Sequence, residues 1–129
     1  MIFEGVNDIG GAANSASTQT NIANQLIAAF TKIVGDAKKA GYTTIGGTIT
    51  PFGGNSYAGN EREMARENVN NWILTSGTFD HTVDLAKMVA SSSNSQQLAQ
   101  QYNSGDGLHP NVAGYQAIAD AFPIDIFKT

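Results

Sequence analysis

The chain has 129 residues and a mass of 13.5 kDa, which favours a single domain covering residues 1–129. Hydrophobic residues make up 41% of the sequence and charged residues only 14%, a composition that excludes a disordered charged tail. The net charge of −4 argues against a module that binds nucleic acid through its phosphates, because such modules are normally basic.

The sequence contains no cysteine, which excludes disulfide scaffolds, cysteine zinc ligands and a cysteine nucleophile. It has no apolar run of about 18 residues, so no membrane-spanning helix is predicted. The first residues, MIFEGVND, show neither a basic segment nor a long apolar stretch, so no signal peptide is predicted in this chain. These features fit a secreted protein as well as a cytoplasmic one, and the compartment stays open.

Apolar and β-branched residues divide the chain into alternating strands and helices. Short apolar or β-branched runs predict strands, while apolar residues three or four positions apart predict helices that end at Gly41 and Gly77. The predicted elements are, in chain order, a strand at 1–3, a loop at 10–18, a helix over 22–37 capped within 17–20, a strand at 43–50, a loop at 51–56, a helix at 60–75, a strand at 79–85, a polar linker at 91–95, a short helical stretch up to residue 98 and a helix at 112–121. This β-α-β-α-β-α order indicates βαβ units and a parallel sheet.

Several side-chain positions follow from these patterns. Gly46 and Gly47 inside the second strand predict that a neighbouring element packs closely there. In the helix at 60–75, Trp72 is expected in the core. The charged residues of that helix are expected on its solvated face: Glu61, Arg62, Glu63, Arg66 and Glu67. The residues of the last helix expected to point inward are Tyr115, Ile118, Ala119 and Phe122.

Two short polar clusters are the candidates for chemistry. Right-handed crossovers place the carboxyl ends of the strands at one sheet edge, where ligands bind, and Asn7 follows the first strand there. Asp106 and His109 surround a glycine, and Pro110 suits the first turn of the last helix. A carboxylate so placed can hold an imidazole in one tautomer, and an asparagine N–H can donate to a developing oxyanion. Taken singly, these residues also fit ordinary turn and cap positions.

Taken together, the two clusters resemble signature blocks of the SGNH (GDSL-type) esterase/lipase family, with Gly-x-Asn-Asp after a strand and Asp-x-x-His-Pro before the final helix. The segments IFEGVNDIG, TPFGG, FDHTVDLAK and YNSGDGLHPNVAGYQAIADAF are similar, in this order, to the carboxyl-terminal portion of that family. The resemblance implies a flavodoxin-like three-layer α/β/α sandwich with a parallel sheet. It also implies hydrolysis of acyl or acetyl esters, with small-molecule or carbohydrate esters as substrates.

The same resemblance implies roles for individual residues. His109 matches the catalytic base, Asp106 its orienting acid and Asn7 the oxyanion-hole side chain. Structural roles are expected for three other carboxylates: Asp8, Asp80 and Asp84. No metal and no organic cofactor is implied.

The sequence departs from the family at the nucleophile. The family's Gly-Asp-Ser block and the block that supplies an oxyanion-hole glycine are both absent from these 129 residues. None of the nine serines lies in a Gly-Asp-Ser or Gly-x-Ser-x-Gly context. Ser56 lies in a loop at the edge of the predicted sheet where ligands bind, and Ser104 is near His109 along the chain. Neither serine matches a nucleophile motif.

Three interpretations follow. In the first, the chain is the carboxyl-terminal part of an ester hydrolase, and an amino-terminal fragment completes the sheet and brings the serine. In the second, the chain is a binding module or pseudoenzyme that reuses the same cleft, as a monomer or with a second copy completing the sheet. In the third, it is a minimal hydrolase that uses another serine, or a water activated by His109.

Overall fold

The computed structural model describes residues 1–128, in which short strands are surrounded by helices. The helices are α1 (Val6–Gly11), α2 (Ala16–Lys39), α3 (Asn60–Thr75), α4 (Leu85–Val89) and α5 (Val112–Ala121), the strands are β1 (Ile45–Gly47) and β2 (His81–Val83), and 3₁₀ turns span Gln100–Tyr102 and Ile124–Phe127. No helix among the described residues is both long and apolar enough to cross a membrane.

The sheet is parallel and small. β1 pairs in parallel with β2, with Ile45 opposite His81. On the other side of β1, Ile2 forms a single parallel bridge with Gly46. The Ile2 N–H donates to the Ile45 carbonyl at 2.8 Å, and the Gly47 N–H donates to the Ile2 carbonyl at 2.9 Å. The predicted first strand is therefore present as one bridge, and the predicted parallel arrangement is confirmed.

Helices cover both faces of this sheet. The cluster formed with α2 and α3 contains Ile9, Ala23, Leu26, Phe30, Val34, Ile49, Phe52, Ala65, Val69, Ile73 and Phe79. The cluster on the other face contains Ile45, Val83 and Leu85, with Met88, Ile118, Phe122 and Ile126 packed against it. A Cβ on Gly46 would lie 2.7 Å from the Phe79 ring, and one on Gly47 would lie 2.8 Å from Leu85, so β1 is approached closely from both sides. These layers confirm the predicted α/β class and the close packing at the two glycines.

The second and third strands are shorter than the predicted segments 43–50 and 79–85. After β1, the Thr48 N–H still donates to the Val83 carbonyl of β2 at 3.1 Å, but the backbone of Ile49 is bonded to side chains instead of to a neighbouring strand. The Ile49 N–H donates to Asn70 Oδ1 at 2.7 Å, and the Ile49 carbonyl accepts from Asn70 Nδ2 at 2.9 Å and from the Arg66 guanidinium at 3.1 Å. Because side chains of α3 satisfy these groups, the ladder ends early.

Two short helices were not predicted. α1 occupies part of the segment predicted as turn and loop. α2 begins earlier than predicted because Ser15 caps it: the Ser15 side chain accepts a hydrogen bond from the Thr18 N–H at 3.4 Å. α4 follows β2 directly, capped by Asp84. Both short helices have six residues or fewer, too few for apolar residues to repeat on one face. Leu98, expected in a helical stretch, instead forms an antiparallel bridge with Ala90.

The predicted bounds of α3 are confirmed, but the predicted solvated face is partly wrong. Glu63 and Arg66 are buried, with 7% and 5% of their surface exposed. They form an ion pair three residues apart, and Arg66 Nε donates to Glu63 at 2.9 Å. The pair is tolerated in the interior because the arginine also reaches the Ile49 carbonyl. Trp72 packs between Phe30 and Phe79, as expected of a core residue.

The bounds of α5 are also confirmed, whereas its predicted inward face is only partly correct. Ile118 and Phe122 contact the second cluster, but Tyr115 is 55% exposed and Ala119 is exposed. Gly114 is the buried position, with the Tyr102 carbonyl 2.9 Å from where its Cβ would be. This close approach turns the face formed by residues 114, 118 and 122 inward.

Candidate active site

Asp106 and His109 form a hydrogen-bonded pair in the turn before α5. His109 Nδ1 lies 2.6 Å from Asp106 Oδ2. Asp106 Oδ1 accepts from the backbone N–H groups of Leu108 and His109, each at 2.8 Å, and from Ser104 Oγ at 3.1 Å. The hydrogen bond from the His109 ring, followed by those from the two backbone groups, holds the pKa of Asp106 well below its usual range. An ionised Asp106 orients the Nδ1–H tautomer, which leaves Nε2 as a proton acceptor.

The turn that carries this pair is built from nearby residues. Asn103 Oδ1 accepts from the N–H of Gly105 at 2.8 Å and of Gly107 at 3.0 Å. Both glycines have positive φ, 110° and 74°, which other residues rarely adopt. Asn111 then caps α5 by accepting from the Gly114 N–H at 2.9 Å. Pro110 therefore precedes the cap and is not in the first helical turn, contrary to the prediction.

Asn7 lies in the first turn of α1, and not in a turn that closes a strand. The helix begins after Gly5, whose φ of 115° redirects the chain from the Ile2 bridge. Asn7 Oδ1 accepts from the Tyr57 hydroxyl at 3.2 Å. This contact leaves both N–H groups of Asn7 Nδ2 without a hydrogen bond to any residue in 1–128, so they can donate to a ligand.

The fold brings His109 and Asn7 to one cleft. Both line a cavity of about 140 Å³ at the carboxyl end of the Ile2 segment and β1. The remaining lining residues are Phe3, Val6, Thr50, Leu108, Pro110 and Tyr115. Asp106 does not line the cavity and contacts His109 Nδ1 from behind. His109, whose ring can accept a proton, and Asn7, whose side-chain amide can donate, thus line the same small, largely apolar space.

The family was identified by comparison with known proteins. The profile of the GDSL-like Lipase/Acylhydrolase family matches residues 1–117, which include Asn7, Asp106 and His109. The chain belongs to this family. Its general activity is therefore that of an ester hydrolase, as the resemblance to the SGNH family implied. A search of curated proteins found no similar sequence.

No serine of the described GDSL-like chain lines the cleft. Ser104, close to His109 along the chain, donates its hydroxyl to Asp106 Oδ1. Ser56 donates to Asn55 Oδ1 at 3.3 Å. The two serines singled out from the sequence are thus placed in other hydrogen bonds. The part of the chain that the structure describes also contains no cluster of three or more histidine, aspartate or glutamate side chains suited to a metal ion.

Asp80 and Asp84 contact structural partners away from the cleft. Asp80 accepts from the Thr44 N–H at 2.8 Å and hydroxyl at 2.7 Å, and lies 3.1 Å from Lys38 Nζ. These contacts, those of Thr44 first, lower the pKa of Asp80 from 3.8 to about 2. Asp84 caps α4 and accepts from the Thr48 hydroxyl at 2.9 Å. Asp80 thus links the starts of β1 and β2, and Asp84 links the ends of the same two strands. These contacts agree with the structural roles expected of both carboxylates.

Sequence reasoning placed the loop at 51–56 at the ligand-binding edge of the sheet but missed its contacts with the residues of this GDSL-like site. Asn55 Nδ2 donates to the Asp106 carbonyl at 2.8 Å, and Tyr57 contacts Asn7. The segment Gly53-Gly54-Asn55-Ser56-Tyr57 reads as an ordinary loop, since glycine, asparagine and serine are common turn residues. Its contacts are with residues about 50 positions away, so no local pattern could have revealed them.

Proposed function

We propose that this chain provides the general base His109, the orienting acid Asp106 and the oxyanion donor Asn7 of a serine ester hydrolase. The observation that carries the proposal is the convergence of His109 and Asn7 on one cleft, with Asp106 bonded to the far side of the imidazole. Membership of a lipase and acylhydrolase family supports the reaction class. The Asp106–His109 contact and an amide donor in the same cleft support these roles, since acyl transfer needs an oriented base and an oxyanion donor.

The proposed reaction follows the serine–histidine–aspartate scheme. The serine hydroxyl attacks the ester carbonyl while His109 Nε2 takes its proton and then gives it to the leaving alcohol. A water molecule, deprotonated by the same nitrogen, then attacks the acyl-enzyme; the bond to the serine oxygen breaks, His109 returns the proton to that oxygen, and the carboxylic acid is released. Asp106 stays ionised and stabilises the imidazolium, and Asn7 Nδ2 donates to the oxygen that becomes negative in each step.

We propose that the serine comes from a polypeptide segment outside these 129 residues, which pairs with the free edge of the Ile2 segment. Among residues 1–128, Ile2 has a strand partner on one side only, in β1. Met1 and Phe3 flank it and are 64% and 40% exposed, although strands of parallel sheets are normally covered. A second copy of the chain is the other occupant that this edge could accept.

The cleft favours a short acyl group on a neutral ester. Its volume of about 140 Å³ is below the roughly 300–1,000 Å³ typical of sites for larger ligands. Phe3, Val6 and Leu108 offer apolar contacts for an acyl chain, and His109 is the one side chain in the lining that can carry a positive charge. We therefore propose acetyl or other short acyl esters, of a small-molecule or carbohydrate alcohol, as substrates.

Labelling with a fluorophosphonate serine probe, followed by intact-mass spectrometry, tests this function. We expect an adduct on a serine outside residues 1–129, located by peptide mapping, together with faster turnover of p-nitrophenyl acetate than of the laurate ester. Both signals should be lost in His109→Ala and kept in His81→Ala, which changes the other histidine of the chain.

The remaining outcomes would overturn separate parts of the proposal. An adduct on the 129-residue chain itself would refute the external serine, and peptide mapping would identify the residue used. Preference for the laurate ester would refute the short acyl group. Binding of esters without adduct or turnover would refute the hydrolase and favour the binding module.

A further inference from the structure

One loop contacts both halves of the candidate site. We define the bridging loop as residues 53–57, between β1 and α3. The Asn55 side chain donates to the Asp106 carbonyl at 2.8 Å and accepts from the Tyr57 N–H at 3.0 Å. The Tyr57 hydroxyl in turn donates to Asn7 Oδ1 at 3.2 Å. A continuous series of contacts therefore runs from the turn of the base to the amide of Asn7.

We propose that Tyr57 is a positioning residue that orients the Asn7 amide toward the cleft; this inference rests on the oxyanion role proposed above. Asn7 is exposed, so its side chain has no dense packing to restrict its rotation. A hydrogen bond from Tyr57 to Oδ1 turns both Nδ2 N–H groups away from the tyrosine. An oxyanion donor held in place before reaction costs little reorganisation when charge develops.

The Tyr57 ring packs directly against the backbone of Gly10. Gly10 is buried in α1, and a Cβ at this position would overlap the Tyr57 ring. The ring therefore lies directly against the helix that carries Asn7. The ring also meets Phe52 edge to face, with ring centroids 6.5 Å apart. These two contacts fix the direction of the hydroxyl group, because a tyrosine side chain has only two main rotatable bonds.

The backbone around Tyr57 is also tied to α1. The Arg62 guanidinium donates to the Tyr57 carbonyl at 3.4 Å and, through Nε at 3.1 Å, to the carbonyl of Ala12 at the end of α1. Gln19, which is 1% exposed, donates to the carbonyls of Ile9 and Ala13, each at 3.0 Å. Arg62 thus links the bridging loop to the end of α1, and Gln19 fixes α1 to α2, so that the helix carrying Asn7 is held on both sides of the contact with Tyr57.

The test combines kinetics of the serine-containing hydrolase with NMR of the 129-residue chain. We expect Tyr57→Phe to lower kcat by about threefold to tenfold, the range for one lost hydrogen bond, while KM changes by less than about twofold. In the Asn7→Ala background, Tyr57→Phe should have no further effect on kcat, because the tyrosine acts through Asn7. The ¹H–¹⁵N resonances of the Asn7 side-chain amide should shift in Tyr57→Phe.

Two glycines of one helix provide a matched control. Gly10→Ala should displace the Tyr57 ring and shift the Asn7 amide resonances, whereas Gly11→Ala, which has open space at its Cβ, should not. Unchanged Asn7 resonances in Tyr57→Phe, or an equal loss of kcat with and without Asn7, would overturn the positioning role. Full activity in Asn7→Ala would instead refute the proposed oxyanion role, and the NMR comparison would still decide whether Tyr57 orients the amide.

Discussion

The turn that carries the proposed base, His109, is held by local contacts, whereas the helix that carries the proposed oxyanion donor, Asn7, is held by distant ones. Asp106 and His109 are three residues apart, and the hydrogen bonds to the Asp106 carboxylate come from Ser104, Leu108 and His109. Asn7 receives its side-chain hydrogen bond from Tyr57, 50 residues away. The pairing of acid and base is therefore a local property of the chain, whereas the direction of the donor depends on how α1 and the bridging loop pack together.

The two regions nevertheless meet in one loop. Asn55 reaches the turn of the base, and Gly54 lies so close to Gly107 that a Cβ on Gly107 would overlap the Gly54 carbonyl. Local contacts thus shape the turn, and tertiary contacts place it beside Asn7. Variants that affect one kind of contact without the other can separate these contributions.

The largest effect is expected from the base itself. His109→Ala should lower kcat/KM by at least about 1,000-fold, because no other described group in the cleft can take the serine proton. Steady-state ester hydrolysis measures the loss, with His81→Ala as the matched control. A His109→Ala enzyme within tenfold of the native rate would show that the local pair is only structural.

Asn7→Ala should have the next largest effect. Removing one oxyanion donor costs about 100- to 1,000-fold in kcat, so a loss in this range is expected while Asp106 and His109 remain paired. The pairing can be followed by the NMR signal of the proton on His109 Nδ1. A loss of less than tenfold would exclude Asn7 from the oxyanion hole. Of the two regions compared, only the turn with Asp106 and His109 would then keep a proposed catalytic role.

A pair of glycine variants distinguishes local strain from tertiary contact in the turn. Gly105 and Gly107 both have positive φ, but only Gly107 has a neighbour, Gly54, at its Cβ position. Gly105→Ala should destabilise the fold by about 1 kcal/mol through backbone strain alone, and Gly107→Ala by about 2 kcal/mol or more. Urea unfolding measures both values. Equal losses would mean that the contact with Gly54 adds nothing to stability.

The smallest effect concerns the pH dependence of stability. The pKa of Asp80 is lowered to about 2 by contacts with Thr44, 36 residues away, so its contribution is present above about pH 4 and is lost as pH falls from 4 to 2. Asp80→Asn should flatten the stability curve in this window. Asp106→Asn should flatten it to still lower pH, because local donors hold that pKa lower. If the stability of Asp80→Asn fell between pH 4 and pH 2 as steeply as that of the native protein, this assignment would be contradicted.

Much of the fold could be predicted from the residues. The helix at 60–75 and the helix at 112–121 have the bounds that apolar spacing indicated, because helices of this length repeat their pattern over several turns. The strands could not be placed as well, since the backbone of Ile49 bonds to Asn70 and Arg66, which no local pattern reveals. The same limit explains why Glu63 and Arg66 were expected in solvent.

The sequence by itself indicated the Asp106–His109 pair, because two residues three positions apart around glycines suit a turn that brings their side chains together. It also determined the α/β order and the resemblance that the family profile bears out. Only the tertiary structure decided that Asn7 lies in a helix, that Tyr57 contacts its amide and that it shares a cleft with His109. The physical reason is that a contact between residues 50 or 100 positions apart depends on the packing of whole elements, which the chain encodes only through its complete core.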